Sequence, residues 1–313
     1  MLYAYPKLPW KYAHLGFIRV SGAGLGNLLF PWARAVVAAK KYGMRLIWPT
    51  WPQLYLSKKP KLALEYIKRH YFGYFRPTEE YISGGKKLRL LLSAKKVSED
   101  EFFSKGPHDL RSSEDYVVVF EGMKDLFNSL MGYHETLREH LLSIVASKHL
   151  AMVKKLPWPS ISVHIRFGDL PFTEDLSMMR ENPWKFRLPL SWYIAQIEKL
   201  REVLGKDTPV YVFSDAQEEE IASIYKSGNV HRIRSSAIAE LITMSNSFVL
   251  IASGSTYSAW ASFLGQCPTI WFPNWIKGRV SKNTMIEIDI EDGLPRCLLL
   301  LLDRRLLKND EGV

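Results

Sequence analysis

The chain has only two cysteines in 313 residues, Cys267 and Cys297. They form no CxxC pair and cannot staple a disulfide scaffold, so a reducing compartment fits best. Long apolar runs are missing too: nothing approaches the ~18–20 residues that a membrane-spanning helix needs. The start, Met1 to Arg19, is broken by Pro6, Lys7, Pro9 and Lys11 and has no uninterrupted signal-peptide core. We expect a soluble, cytoplasmic protein, with a peripheral place on the inner membrane face as the alternative. Acidic residues are absent from the opening stretch. Residues 1–64 carry ten Lys and Arg and no acid, the first being Glu65. Removing those ten from the 42 basic residues leaves 32 against 32 acids, so the whole net charge of +10 resides there. That block invites a nucleic acid, an anionic membrane or a phosphorylated ligand, against the plain alternative of a solvated face. At 47% hydrophobic and 24% charged, the composition excludes disordered and fibrous classes.

The periodicity alternates between strand-like and helix-like segments, which predicts α/β architecture. Phe17 to Val20 reads as a strand running into Ser21-Gly22-Ala23-Gly24-Leu25-Gly26-Asn27. A helix from Leu28 to Tyr42, closed by Gly43, and a strand from Met44 to Trp48 follow. Residues 55–115 have weak periodicity and read as loops and insertions. Tyr116 to Phe120 is a buried strand and Tyr133 to Lys148 a helix, ending at a seam with Pro157 and Pro159. Beyond it, Ile161–Arg166, Pro209–Phe213, Phe248–Ala252 and Thr269–Phe272 are short apolar runs typical of doubly covered parallel sheets. Helices predicted at Ser191–Leu204 (Ser191 as cap), Gln217–Lys226, Ala237–Met244 and Ser258–Gly265 separate them, giving a βαβ series. Two α/β domains, 1–155 and 156–313, are expected.

Four clusters could carry chemistry. Gly22, Gly24 and Gly26 form GxGxG, whereas a dinucleotide fingerprint wants GxGxxG and an acid about 20 residues on. No acid precedes Glu65, which argues against NAD or FAD. A glycine-rich turn before a helix still exposes backbone N–H groups to a ligand, with Asn27 either a cap or a polar group offered to it. His164-Ile165-Arg166-Phe167-Gly168-Asp169 places three polar side chains at the carboxyl end of a predicted parallel strand, where open α/β sheets bind ligands. Arg166 suits a diphosphate; the plain alternative is an ion pair with Asp169. Phe213-Ser214-Asp215 ends another strand. Ser253-Gly254-Ser255-Thr256-Tyr257-Ser258 joins a strand to a helix, and hydroxyls with N–H groups there make an anion site without a metal.

Taken in order, these motifs resemble glycosyltransferase family 11, the α-1,2-fucosyltransferases. Gly24-Leu25-Gly26-Asn27-Leu28-Leu29-Phe30 is similar to the family's GLGNQ(L/M)F start. His164 to Asp169 is similar to H-x-R-R-G-D, shared with α-1,6- and protein O-fucosyltransferases. Phe213-Ser214-Asp215 and Ser253 to Trp260 are similar to the later motifs. The resemblance spans about residues 17–275. It implies a GT-B-like fold of two Rossmann-type domains with a cleft between them, residues 1–155 on the acceptor side and 156–313 binding a GDP-sugar. It implies inverting, metal-independent transfer of L-fucose from GDP-β-L-fucose to a hydroxyl such as galactose 2-OH, on an oligosaccharide or lipid-linked glycan. Arg166 would then meet the β-phosphate, with His164 near the nucleoside and Asp215 near the guanine. Ser255 and Thr256 would face the phosphates, beside Ser214, Ser253 and Ser258. Gly24, Gly26 and Asn27 would approach from the other half. Asp169 is the expected base. The chain departs at Leu28 (for Gln), Phe167 (for the second Arg) and Leu170 (for an aromatic), so another GDP-sugar or linkage stays open.

Other features read more plainly. No DxD occurs, and His134-Glu135-Thr136-Leu137-Arg138 lacks the second His of a zinc motif, so no metal is expected. The pairs Trp48-Pro49 to Trp51-Pro52 and Trp271-Phe272-Pro273-Asn274-Trp275 are packing elements first and sugar platforms second. Leu298 to Lys308 reads as a packed helix with a basic end, membrane contact being the sharper alternative. A nucleic-acid partner is disfavoured, because the basic block lacks interleaved aromatic–basic recognition motifs. A non-catalytic glycan-binding module remains the other alternative. For Lys58, Lys59 and Lys61 an anionic membrane or lipid-linked acceptor is the expectation.

Overall fold

The computed structural model describes residues 1–9, 13–14, 16–54, 69–106, 114–168, 170–275 and 279–310. It divides into two compact units, Met1–Ala151 and Met152–Val313. Asp169, Lys11, Lys58, Lys59 and Lys61 lie outside the described residues.

In chain order the N-terminal unit has β1 (Leu2–Lys7), β2 (Ala13–His14), β3 (Arg19–Val20), α1 (Leu25–Tyr42), β4 (Arg45–Ile47), β5 (Gln53–Leu54) and β6 (Tyr81–Ile82). Then come α2 (Gly84–Ser93), β7 (Lys95–Ser98), α3 (Glu99–Lys105), β8 (Tyr116–Glu121), α4 (His134–Ile144) and α5 (Ser147–Leu150). Five strands form a parallel sheet in the order β6-β4-β1-β8-β7, and β2-β3-β5 form a separate small sheet. Three expectations are corrected here. The Phe17–Val20 strand shrinks to Arg19–Val20 and pairs in the small sheet, so the glycine turn does not leave a strand of the main sheet. Residues 69–106, expected as loops, contain β6, α2, β7 and α3. The helix expected over Tyr133–Lys148 is interrupted, because Val145 bridges Phe75 and Ala146 N donates to Tyr74 O at 2.9 Å. Those tertiary bonds claim backbone that would otherwise continue the helix.

The basic block also looks different in three dimensions. Arg19 is fully buried, its guanidinium donating to Thr50 O, Pro9 O and Trp51 O. Burial lowers its pKa to about 10. Arg34 is buried on Glu99 and also donates to Glu121 O and Gly122 O. Lys7 pairs with Glu121 at 2.7 Å. These cations hold the fold rather than a polyanion.

The C-terminal unit runs β9 (Ile161–Ile165), α6 (Leu176–Glu181), α7 (Leu190–Leu204), β10 (Val210–Ser214), a 3-10 segment (Glu219–Ser227) and β11 (Val230–Arg232). It continues with α8 (Ala237–Ser245), β12 (Val249–Ile251), α9 (Thr256–Gly265), β13 (Thr269–Trp271), β14 (Met285–Glu287) and α10 (Arg296–Asp310). All six strands are parallel, in the order β11-β10-β9-β12-β13-β14. Counted from β9 that is 3-2-1-4-5-6, the dinucleotide-fold order with a switch point between its first and fourth strands. The apolar runs of β9, β10, β12 and β13 are buried on both faces, as their composition requires. Two helix expectations shift: α7 is capped by Pro189 rather than Ser191, and Gln217–Lys226 is a 3-10 segment, not an α-helix. Among the described residues no helix is long and apolar enough to cross a membrane.

Candidate functional site

The switch point places the carboxyl ends of β9 and β12 side by side, and polar residues gather there. His164 is the fourth residue of β9 and is 6% exposed. Its Nδ1 lies 2.5 Å from Ser258 Oγ and 2.8 Å from Ser253 Oγ. Burial, reinforced by the Arg166 charge, lowers the His164 pKa to about 3, so the ring is neutral at ordinary pH. Ser255 completes the cluster. It caps α9 by accepting from Ser258 N at 3.2 Å, and its hydroxyl lies 3.0 Å from Ser258 Oγ. Ser253 and Ser258 are buried, whereas Gly254, Ser255 and Thr256 are partly open. The inner pair therefore orients His164, and the outer three form the accessible start of α9.

Arg166 follows two residues later on the same strand end. It pairs with Asp215, the residue after β10; the expected alternative partner, Asp169, lies outside the described residues. Asp215 also accepts from Phe167 N at 2.7 Å and Gly168 N at 3.0 Å. Gly168 is required by that closeness: a Cβ would stand 2.4 Å from Asp215 Oδ2 and 3.0 Å from Arg166 Nη1. Asp215, expected near a base, thus has its carboxylate occupied by the Arg166 loop. Ser214 is likewise turned inward, its Oγ accepting from Ala216 N at 3.0 Å. Arg232 pins the same turn through Ser214 O and Ala216 O. The Arg166 side chain is 22% exposed.

A Cβ on Gly254 would stand 2.5 Å from Trp275 Nε1 and 2.9 Å from Pro183 O. Trp275 stacks on the buried Trp271 with centroids 4.0 Å apart and planes 6° apart. These tryptophans pack on each other and against the β12–α9 turn, so the packing reading holds for them. Trp51 likewise stacks on Phe75 at 4.1 Å.

Gly24, Gly26 and Asn27 belong to the N-terminal unit. Gly24 caps α1 without a side-chain bond, and Asn27 N donates to Gly24 O at 3.0 Å. Gly26 is buried within α1. The turn is held from below by the buried Gln53, whose Nε2 donates to Ala23 O at 3.2 Å and Arg69 O at 2.6 Å. His164, Arg166, Asp215, Ser253, Ser255 and Ser258 thus form one cluster, with Ser214 and Thr256 at its edge. Arg187, Arg232 and Gln53 were not singled out by the sequence, because their partners lie on other elements. Among the described residues no three His, Cys, Asp or Glu side chains gather as a metal site.

No family model matches the chain, and no curated protein matches it in sequence. Solved structures do. The chain is similar to POFUT1 in complex with GDP, with a TM-score of 0.52 and 13% identity over 87% of this chain and 97% of that one. It is similar to the fucosyltransferase NodZ from Bradyrhizobium, with a TM-score of 0.50 and 12% identity over 88% and 96%. NodZ α-1,6-fucosyltransferase soaked with GDP-fucose gives a TM-score of 0.50 and 14% identity over 88% and 97%. At such identities the likeness concerns the fold, a mixed α/β chain built on parallel sheets.

Proposed function

We propose that this protein is a glycosyltransferase that takes L-fucose from GDP-β-L-fucose. One observation carries the reading: at the switch point of a 3-2-1-4-5-6 sheet, a part-open Arg166 stands with the Ser255-capped start of α9. Both present donors, and a helix N-terminus carries partial positive charge. A diphosphate answers that arrangement better than a neutral ligand. Support comes from the similar structures, one in complex with GDP and one soaked with GDP-fucose.

In the reaction the acceptor hydroxyl oxygen bonds to the anomeric carbon from the face opposite GDP, which inverts it. The bond to the β-phosphate oxygen breaks and its electron pair leaves with GDP. Arg166 and the α9 N–H groups stabilise that growing charge, a role otherwise open to a divalent cation. Asp215 holds Arg166 in place at the end of β9. His164, neutral and anchored by serines, shapes the nucleoside side. The acceptor proton goes to a base, for which Asp169 is our assignment. Asn27, with Gly24 and Gly26, is our assignment on the N-terminal unit. The acceptor is a glycan hydroxyl, with galactose 2-OH on an oligosaccharide or lipid-linked chain as the specific form and an anionic membrane face as its setting.

Titration calorimetry in EDTA tests this. GDP and GDP-fucose bind, while UDP-galactose and NAD do not. Binding of UDP-galactose or NAD in preference to GDP overturns the reading, and preference for GDP-mannose replaces the sugar.

A further inference from the structure

The connection from β9 to α7 spans residues 166–189 and carries the short helix α6 within it, so it is a long excursion rather than the ~2–6-residue link usual between strand and helix. Its two ends are tied together by one residue, Arg187. Arg187 N donates to Pro171 O at 3.0 Å, and Arg187 Nε donates to Leu170 O at 2.8 Å. The guanidinium carbon lies 5.2 Å from the centroid of the buried Phe167 ring. Nη1 donates to Glu220 Oε1 at 2.7 Å, and Glu220 Oε2 accepts from Gln217 N at 2.8 Å. Burial raises the Glu220 pKa, but the bonds from Gln217 N and Arg187 outweigh it and hold the carboxyl below its ordinary range.

Arg166, Phe167, Gly168 and Leu170 are therefore gripped twice by the segment that follows β10. Asp215 takes Arg166, Phe167 N and Gly168 N on one side. On the other, Glu220 acts through Arg187 on the Phe167 ring and Leu170 O. Position 167 is where the resembling motif has its second arginine; here a guanidinium reaches that place from position 187. Two roles are open to such a group, a second phosphate ligand or a clamp. The contacts decide between them, since its charge is matched by Glu220, its guanidinium carbon sits over the Phe167 ring and its Nε is used by Leu170 O.

We propose that Arg187, held by Glu220, is a positioning residue that fixes Phe167 and Leu170 and so presents Arg166 to the diphosphate. This rests on the donor reading above. Arg187→Met keeps the stem and removes the fork; Arg187→Lys keeps the charge and loses the planar, multidentate geometry. Glu220→Gln weakens the anchor while leaving the stack. The first readout is amide hydrogen exchange in the ligand-free protein at Phe167, Gly168 and Leu170. The second is the Kd for GDP, with kcat and the acceptor KM. We expect exchange at those amides to rise, and GDP affinity to fall, by about tenfold in Arg187→Met, the scale of one lost hydrogen bond to a charged group. Arg187→Lys does not rescue, Glu220→Gln shifts both in the same direction by less, and acceptor KM stays put. Wild-type exchange in Arg187→Met, or full rescue by Lys, overturns the proposal. If the wild-type protein binds no GDP, the donor reading falls, and the exchange rates still decide whether Arg187 holds the loop.

Discussion

Helices α1 and α9 both begin at a turn of small residues, yet the turns are built differently. Gly24 caps α1 with no side-chain bond, and no acidic residue stands in its first turn. Ser255 caps α9 with its hydroxyl, and that hydroxyl belongs to a network reaching His164. The strands that feed them differ as well. β3 lies in a three-stranded side sheet, whereas β12 pairs with β9 in the middle of the main sheet of its unit. The α9 turn is thereby coupled to Arg166, close enough for its charge to lower the His164 pKa. A glycine-rich turn in the sequence promises an anion site, but the strand order decides which turn has a fixed cation next to it.

The largest effect that would sharpen this contrast comes from Arg166→Ala. Loss of one preorganised donor to a developing charge costs about 2.7–4 kcal/mol, so transfer should fall by about 10²–10³ in kcat while the protein stays folded. Undiminished transfer would remove Arg166 from the leaving-group role. Next comes the pair Gly168→Ala and Gly24→Ala. At 168 the new methyl collides with Asp215 and Arg166, so a loss of about 1–3 kcal/mol in stability is expected, with GDP affinity falling too. At 24 the backbone is extended at φ −71° and a Cβ meets nothing within 4 Å. That change should cost no more than about 1 kcal/mol, the weaker cap. Urea unfolding and GDP titration on both variants check this, and equal loss of GDP affinity would mean that the α1 turn shares the donor.

The last effect concerns pH. His164 has a folded pKa of about 3 against an ordinary 6.5. Between those values the unfolded chain binds a proton that the folded one does not, so stability falls as pH drops from about 6.5. The slope from this one group approaches about 1.4 kcal/mol per pH unit. Comparing wild type with His164→Gln in urea between pH 7 and 5 isolates it. Equal slopes would mean that the ring is not held neutral.

The sequence was most legible where chemistry is uniform along the chain. Strands β9, β10, β12 and β13 stood out because a parallel sheet buried on both faces demands continuous apolar runs. Strand β1 was hidden, because Leu2–Lys7 contains Pro6 and ends in a lysine although it is the central strand of its sheet. Arg166 was visible as a cation at a strand end, while its partner Asp215 lies 49 residues on. Asp215 was visible for the same reason, its place at a strand end, and its bonds to the Phe167 and Gly168 amides emerge only in the fold. Arg187 carried no signal, since a guanidinium that works through a ring and a carbonyl on another segment has no spacing rule.

Hydrogen-exchange footprinting of the whole protein with saturating GDP tests the central claim most directly, that donor recognition is concentrated at the β9 and β12 ends. Protection should be strongest in the peptides covering 164–168 and 253–258, and weaker over 22–27. Protection confined to 22–27, with 164–168 and 253–258 exchanging as in the free protein, would contradict it.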